Sequence, residues 1–263
     1  MVNIAVLGAS GRMGQTILAI ARDYSGVRIS AALVRAGSPL LGQDAGGIAY
    51  SAGVNGALTA SDVLVDFSTP VSTAAAIDAC LAAGKPLVIG VTGLDAVLRH
   101  KMEKASQTIA VLAAPNMSLG VNLLLRLAAM AAAALGEEFD VEISEVHHRR
   151  KKDAPSGTAL ALGEAVAGAR GVKLEAHADF HRAARDGMRQ PGSIGFSSVR
   201  AGDIVGDHTL LFAGADERLE LTHRAHSRAA FARGALVAAC WIARRPAGLY
   251  QMADLLDLDA RRP

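Results

Sequence analysis

The chain has 263 residues, 51% of them hydrophobic and 20% charged, with a formal net charge of +2 and a pI near 8.7. That length supplies one or two domains with ample core material, and so mild a balance argues against a chain that binds nucleic acid by bulk charge and against a disordered one. Cys80 and Cys240 show neither CxxC spacing nor the density of a disulfide framework, so both are expected to be small buried hydrophobes in a reducing compartment.

Met1 to Leu7 runs straight into a glycine turn without a secretory pattern, and the chain is expected to work in the cytoplasm. Asn3-Ile-Ala-Val-Leu7 reads as a buried strand, Gly8-Ala-Ser-Gly-Arg-Met-Gly14 as a tight turn and Gln15 to Arg22 as an amphipathic helix. Val27 to Leu33 follows the Ser25-Gly26 turn as a second strand, completing a βαβ crossover. Glycines at 37, 42, 46, 47, 53 and 56 mark a loop region. Asp62 to Phe67 then reads as strand, Val71 to Ala83 as helix, Lys85 to Gly90 as strand, Leu94 to Ser106 as helix and Ile109 to Ala113 as strand. Such alternation predicts an α/β fold built on a Rossmann-type, doubly wound parallel sheet.

A long apolar helix is expected from about Ser118 to Leu135. Asn122 and Arg126 interrupt it, and its unbroken part is too short to span a bilayer, which predicts a buried helix rather than a membrane segment. The pattern then changes. Strands are expected over Val141 to Val146, Ser193 to Val199, His208 to Phe212 and Arg218 to Thr222, with a helix over Ala159 to Val166, predicting a second α+β domain with a mixed sheet. Ser227 to Arg244 reads as helix, and two β-poor segments follow. Neither an internal repeat nor a low-complexity tract interrupts this order.

The Gly8-x-x-Gly11-x-x-Gly14 spacing gains meaning from the strand before it and the helix after it. Gly8 permits the turn, Gly11 admits a pyrophosphate and Gly14 lets helix and sheet pack closely, although an ordinary βα turn is the plain alternative. At the end of the second strand, where an acid would accept the ribose hydroxyl of NADH, the chain carries Val34 and Arg35. A guanidinium there, assisted by Arg12, suits the 2′-phosphate of NADPH; a solvated surface arginine is the other reading. Gly90-Val-Thr-Gly93 and Ala114-Pro-Asn-Met117 end strands at the carboxyl edge of the sheet, where backbone groups can meet the nicotinamide half of a cofactor. Asp66-Phe-Ser-Thr-Pro70 lies at the same edge and reads equally well as a helix cap.

The densest chemistry is Glu145-Val-His-His-Arg-Arg-Lys-Lys-Asp-Ala-Pro-Ser-Gly-Thr158, a strand-to-helix connection with two imidazoles and four cations. The unpaired N–H groups of a first helical turn favour a carboxylate or phosphate there, with His147 or Lys151 placed to transfer a proton. Arg149, Arg150 and Lys152 taken singly read as a solvated face. His177-x-x-x-His181 has helical spacing but no third ligand in view, and no metal is expected.

With these motifs in hand, the chain resembles the dihydrodipicolinate reductases, the 4-hydroxy-tetrahydrodipicolinate reductases of bacterial lysine biosynthesis, over nearly its full length. The resemblance rests on the glycine turn, Asp66-Phe-Ser, Gly90-Val-Thr-Gly93, Asn116-Met-Ser-Leu-Gly-Val-Asn122, Glu145 to Ala159, Pro191-Gly-Ser-Ile-Gly-Phe196 and Val199 to Thr209. It implies reduction of a small dicarboxylate, 4-hydroxy-tetrahydrodipicolinate, by NADPH or NADH, with His147 as proton donor or acceptor and Lys151 as proton donor. His148, Gly157 and Thr158 are then substrate-binding. Cofactor contacts fall to Gly8, Ala9, Ser10, Gly11, Arg12 and Met13, to Gly90, Val91 and Thr92, and to Ala114, Pro115, Asn116 and Met117, with Arg35 facing a 2′-phosphate. Val34 stands where members that use NADH well often carry an acid.

The resemblance further implies a dinucleotide-binding domain of residues 1–118 and 228–263, a substrate-binding and oligomerisation domain of residues 119–227, and a homotetramer. No membrane or nucleic-acid partner is expected. Two other functions match parts of the pattern. A sugar or polyol dehydrogenase would use Gly84-Lys85-Pro86 but leaves the basic loop without a duty. A dinucleotide-sensing regulator or RNA-binding protein would use Arg149 to Lys152 but calls for interleaved aromatics, which that run does not have.

Overall fold

The computed structural model describes residues 1–180, 184 and 186–257. Strands β1 (Val2–Leu7) and β2 (Val27–Leu33) flank helix α1 (Arg12–Ala21), and the short β3 (Tyr50–Ser51) and α2 (Val54–Leu58) follow. Next come β4 (Val63–Asp66), α3 (Pro70–Ala83), β5 (Leu87–Ile89), α4 (Ala96–Ala105), β6 (Ala110–Ala113) and α5 (Leu119–Leu135). The later chain forms β7 (Asp140–His147), α6 (Gly157–Ala169), α7 (Leu174–His177), β8 (Ala178–Asp179), β9 (Ile194–Arg200), β10 (Gly206–Ala213) and β11 (Arg218–Ala225). It closes with α8 (Ala229–Ile242), β12 (Gly248–Tyr250) and α9 (Met252–Leu255). These elements divide into two units, Met1–Leu119 with Arg228–Pro263, and Gly120–Ser227.

In the first unit a seven-stranded sheet has the order β12-β6-β5-β4-β1-β2-β3, and every adjacent pair is parallel. Its central strands are continuous apolar runs because helices cover both faces; β4 and β5 are buried at every residue. One face packs Ile4, Val6 and Val65 against Ile17 and Leu18 of α1 and Ala235, Leu236 and Ala239 of α8. The other packs Ala5, Leu64 and Ile89 against Ile77 and Cys80 of α3 and Leu98 and Met102 of α4. The chain winds outward from β1 to β3 and then restarts at β4 on the other side of β1. The carboxyl ends of β1 and β4 therefore form a topological switch point, the place where open sheets of this kind bind ligands.

The second unit is a mixed five-stranded sheet in the order β11-β10-β7-β9-β8. β10 is antiparallel to β7 and β11, whereas β9 is parallel to β7 and β8. Val141, Ile143, Phe196, Leu210 and Phe212 from the sheet pack with Leu162 and Val166 of α6 and Leu124 and Ala128 of α5.

Several expected boundaries move. α1 starts at Arg12, inside the glycine turn, and the glycine-rich loop holds the short β3 and α2. The supposedly β-poor end contains β12, which lengthens the first sheet beyond β6. α5 is one-sided rather than buried: Val121, Leu124, Ala128 and Ala132 face the core while Leu123, Leu127 and Met130 are exposed. Leu119–Glu138 is long and apolar enough to cross a membrane by length and composition. The expected His177 and His181 pair has one member, His181, outside the described residues.

Candidate functional site

In the first unit the proposed cofactor residues all follow strand ends. Gly8 has φ +79°, and a β-carbon there would lie 2.7 Å from the Phe67 carbonyl oxygen, so glycine is required on conformational and steric grounds. A β-carbon on Gly14 would run into the Gly8 carbonyl oxygen and Ala9 Cα, which keeps the start of α1 pressed on the turn. Gly11 caps α1 in an extended conformation and offers no side-chain acceptor, and the first turn carries no acid. Its N–H groups and the positive helix end thus suit a pyrophosphate. Arg12 and Arg35 are exposed, and Arg35 sits between buried Val34 and exposed Ala36 with no acid beside it in sequence. The donor set fits a phosphorylated dinucleotide.

Ala9, Val91, Ala114 and Met117 are buried, which leaves their backbone rather than their side chains for a ligand. Gly90 passes so close to the Phe67 ring that a β-carbon would overlap it. Beneath this edge lies Asp66, fully buried, which accepts from Ser68 N at 2.9 Å, Ser68 Oγ at 2.5 Å and Thr73 Oγ1 at 2.6 Å. Burial raises its carboxyl pKa against the opposing pull of these hydrogen bonds. Thr69, not Asp66, caps α3, with Pro70 at the start of the helix. Asp66 instead braces the turn, a role its position at the end of an apolar strand only hinted at.

In the second unit, β7 ends at His147 and α6 begins at Gly157, so the basic run is the connection between them. Glu145 and His147, two apart on a strand, point to the same face. Glu145 is 1% exposed, and its Oε2 lies 2.5 Å from His147 Nδ1. Arg200, opposite His147 in the parallel β7–β9 register, donates to both carboxylate oxygens at 2.7 Å. Burial alone would raise the Glu145 pKa, but the hydrogen bonds from Arg200, His147 and Ser198 outweigh it and hold the group at about 2. An ionised carboxylate accepts only, so His147 donates from Nδ1, and a neutral ring keeps its lone pair on Nε2. Burial lowers the His147 pKa first of all, Glu145 pulls it upward, and the cations of Lys151 and Arg200 lower it again.

His208 of β10 stacks its ring edge-on with His147 at 5.0 Å between centroids, and its Nε2 is 2.9 Å from Ser156 Oγ. Burial and the neighbouring His147 depress the His208 pKa to about 4, so it is neutral at physiological pH. Ser156 caps α6, its hydroxyl accepting from Ala159 N. Gly157 and Thr158 are consequently the first two helical residues, and their N–H groups belong to the positive end of the helix. Lys151 Nζ pairs with Asp153 Oδ2 at 2.8 Å. His148 is half-buried, with Nδ1 enclosed and without a hydrogen-bond partner. Arg150 is spent on an exposed pair with Asp203.

Of the predicted residues, the fold thus brings His147, Lys151, Gly157 and Thr158 onto one connection with His148, and the nucleotide set onto one sheet edge. Sequence reasoning missed Arg200, His208 and Asp153 as parts of the site, and took Ser156 only as part of the α6 start. Glu145 carried a usable signal, its two-residue spacing from His147 on a strand. Among the described residues no three His, Cys, Asp or Glu side chains gather as a metal site.

The family model described as "Dihydrodipicolinate reductase, N-terminus" matches residues 2–117, and that described as "Dihydrodipicolinate reductase, C-terminus" matches residues 120–256. The 4-hydroxy-tetrahydrodipicolinate reductase of Thiobacillus denitrificans is 52% identical over 98% of this chain and 99% of its own length. That of Bordetella parapertussis is 50% identical over 97% of each. Among solved structures, a dipicolinate-bound dihydrodipicolinate reductase from Paenisporosarcina sp. TG-14 superposes with a TM-score of 0.78 at 25% identity, covering 97% of this chain and 98% of that one.

Proposed function

The chain belongs to the dihydrodipicolinate reductase family, and from that premise we infer that it reduces 4-hydroxy-tetrahydrodipicolinate to tetrahydrodipicolinate with a reduced pyridine nucleotide, in lysine and diaminopimelate biosynthesis. When bound, the nicotinamide supplies the hydride. The uncapped first turn of α1, with Gly8 to Met13, holds the pyrophosphate, and the strand-end turns at Gly90 to Thr92 and Ala114 to Met117 offer backbone groups. Arg35, with Arg12, meets a 2′-phosphate, so NADPH is preferred over NADH.

The substrate's carboxylates are held by the Gly157-Thr158 helix start and His148, where oriented N–H groups and the helix dipole act together. As hydride reaches the ring, electron density accumulates and must be neutralised. Lys151 and His147 supply the proton and the positive charge there. The single observation that carries this assignment to residues is the Glu145-anchored His147 sharing one short connection with Lys151 and the α6 start. We place the enzyme in the cytoplasm, which the free Cys80 and Cys240 support, and read it as a homotetramer. Assembly would cover the face of the sheet turned away from α5 and α6, where Val199 of β9 is exposed.

The direct test is turnover of enzymatically generated 4-hydroxy-tetrahydrodipicolinate with each nucleotide. Turnover with both, favouring NADPH, is expected. Absence of turnover with either overturns the assignment, and a preference for NADH overturns the role of Arg35.

A further inference from the structure

We propose that Glu145 is a positioning residue that holds the two halves of the second unit's site in register, the His147 ring and the start of α6, with Arg200 as its clamp. This rests on the reading of that connection as the reductase's substrate and proton-transfer site. The geometry is a division of labour between two oxygens. Oε2 receives His147 Nδ1 at 2.5 Å and one Arg200 nitrogen at 2.7 Å. Oε1 receives the Ser156 backbone N–H at 3.2 Å and the other Arg200 nitrogen at 2.7 Å. Each oxygen therefore meets one Arg200 nitrogen and one group of the site, with Ser198 as a further partner of the carboxylate.

Arg200 is itself fixed: a nitrogen also donates to the Asp153 carbonyl at 2.6 Å, in the loop that carries Lys151. The planar guanidinium fork sets the plane of the carboxylate, a task a lysine point charge cannot perform. With that plane fixed, the bond to His147 fixes both the tautomer and the ring angle, while the bond to Ser156 N fixes where the α6 cap stands. The cap in turn decides where the Gly157 and Thr158 N–H groups point. His208 closes the circuit, bonding Ser156 Oγ and packing edge-on against His147. A buried ion pair of this kind is weak support for stability as such, since desolvation offsets much of its attraction, and a site function explains its presence better.

Three variants, Glu145→Asp, Glu145→Gln and Arg200→Lys, test the idea in the full chain. Glu145→Asp keeps the charge but is one methylene too short to reach His147 and Ser156 together. It should lower kcat on the order of ten- to a hundredfold, the effect of misplacing a reacting group by about an ångström. It should also raise the inhibition constant of pyridine-2,6-dicarboxylate severalfold. In Glu145→Gln, nitrogen-15 spectra of the His147 ring should show the loss of the fixed Nδ1–H tautomer. The titration midpoint should fall, because the attracting carboxylate is gone while the charges facing the ring, Lys151 from its loop and Arg200 from β9, stay. Asp153 beside Lys151, and Asp207 and His208 on β10, are unchanged in all variants.

A carboxylate that merely stabilised the sheet would lower the melting temperature without moving tautomer, titration or inhibitor binding. Wild-type ring spectra in Glu145→Gln, or a lowered kcat in Glu145→Asp with an unaltered inhibition constant, overturn the proposal. Should both Glu145 variants fail to fold, Arg200→Lys decides: loss in both kcat and dicarboxylate inhibition supports the clamp, and wild-type values refute it. The spectra require no turnover. A chain that fails to reduce the substrate yet shows the Glu145-dependent tautomer would refute the assigned reaction and leave the pairing standing.

Discussion

Gly206 of β10 presents its open side to His147, and a β-carbon built there would lie 2.9 Å from Nε2, the ring nitrogen not engaged by Glu145. Glycine at this position preserves the approach to the nitrogen that would exchange the proton in the proposed reaction. Gly206→Ala should therefore lower kcat on the order of a hundredfold by displacing the ring, with a melting temperature within about 5 °C of wild type. Steady-state kinetics beside calorimetry check it, and near-normal kcat would show that Nε2 is not the working atom.

Replacing Lys151 with Ala should depress kcat by about 10²–10⁴, the usual range for a positioned acid, while the NADPH dissociation constant stays within about threefold. His147→Gln should behave alike. A large change in nucleotide affinity with kcat retained would move these residues from proton transfer to cofactor binding.

Nucleotide preference is the role proposed for Arg35. Arg35→Ala should narrow the NADPH to NADH affinity ratio by roughly tenfold at low salt, and less as ionic strength rises, because the guanidinium is exposed and its field is screened. Calorimetric titration with both nucleotides at two salt concentrations measures it; an unaltered ratio contradicts a 2′-phosphate contact.

Pyridine-2,6-dicarboxylate should compete with substrate and pyridine-2-carboxylate should be much weaker. Thr158→Val should cost the dicarboxylate roughly 1.5–3 kcal/mol, one hydrogen bond to a charged group. Equal inhibition constants for the two acids would make the α6 start a structural cap alone.

Acid stability follows from two depressed pKa values. His208 is held at about 4 against an ordinary 6.5, so between these values the unfolded chain binds the proton that the native chain refuses, and stability falls as pH drops from 6.5 to 4. The loss approaches about 3 kcal/mol at the lower end. Glu145, held at about 2 against 4.5, contributes stability that is present above pH 4.5 and lost as pH falls towards 2. Urea midpoints across pH 4–7 should slope in wild type and flatten in His208→Gln; parallel slopes would exclude His208 as the source.

The first sheet was legible because each central strand is buried on both faces and so appears as an unbroken apolar run between glycine turns. β3 is two residues long and β12 is a Gly-Leu-Tyr triplet, too short for any period to register, and both acquire their structure from pairing with a neighbouring strand. The site divides in the same way. His147, His148, Lys151, Gly157 and Thr158 fall on one short stretch of chain and carry their own chemical signal. Arg200 reaches Glu145 across 55 residues of chain, and Ser156 meets His208 across 52. Those partners are selected by strand register, a property of the assembled sheet that no local pattern contains.

The return of the chain to its first sheet has a consequence for synthesis. α8 contributes Ala232, Ala235, Leu236, Ala238, Ala239 and Ile242 to the core beneath β1 and β4, and β12 pairs with β6. All of the second unit's sequence is translated before these pieces exist. On the ribosome the second unit can therefore complete its sheet while the first waits with one face of its sheet covered by α1 alone, the reverse of the order in which the two begin. A nascent chain stalled before Arg228 would expose that apolar face, which makes it a natural target for chaperones and for proteolysis.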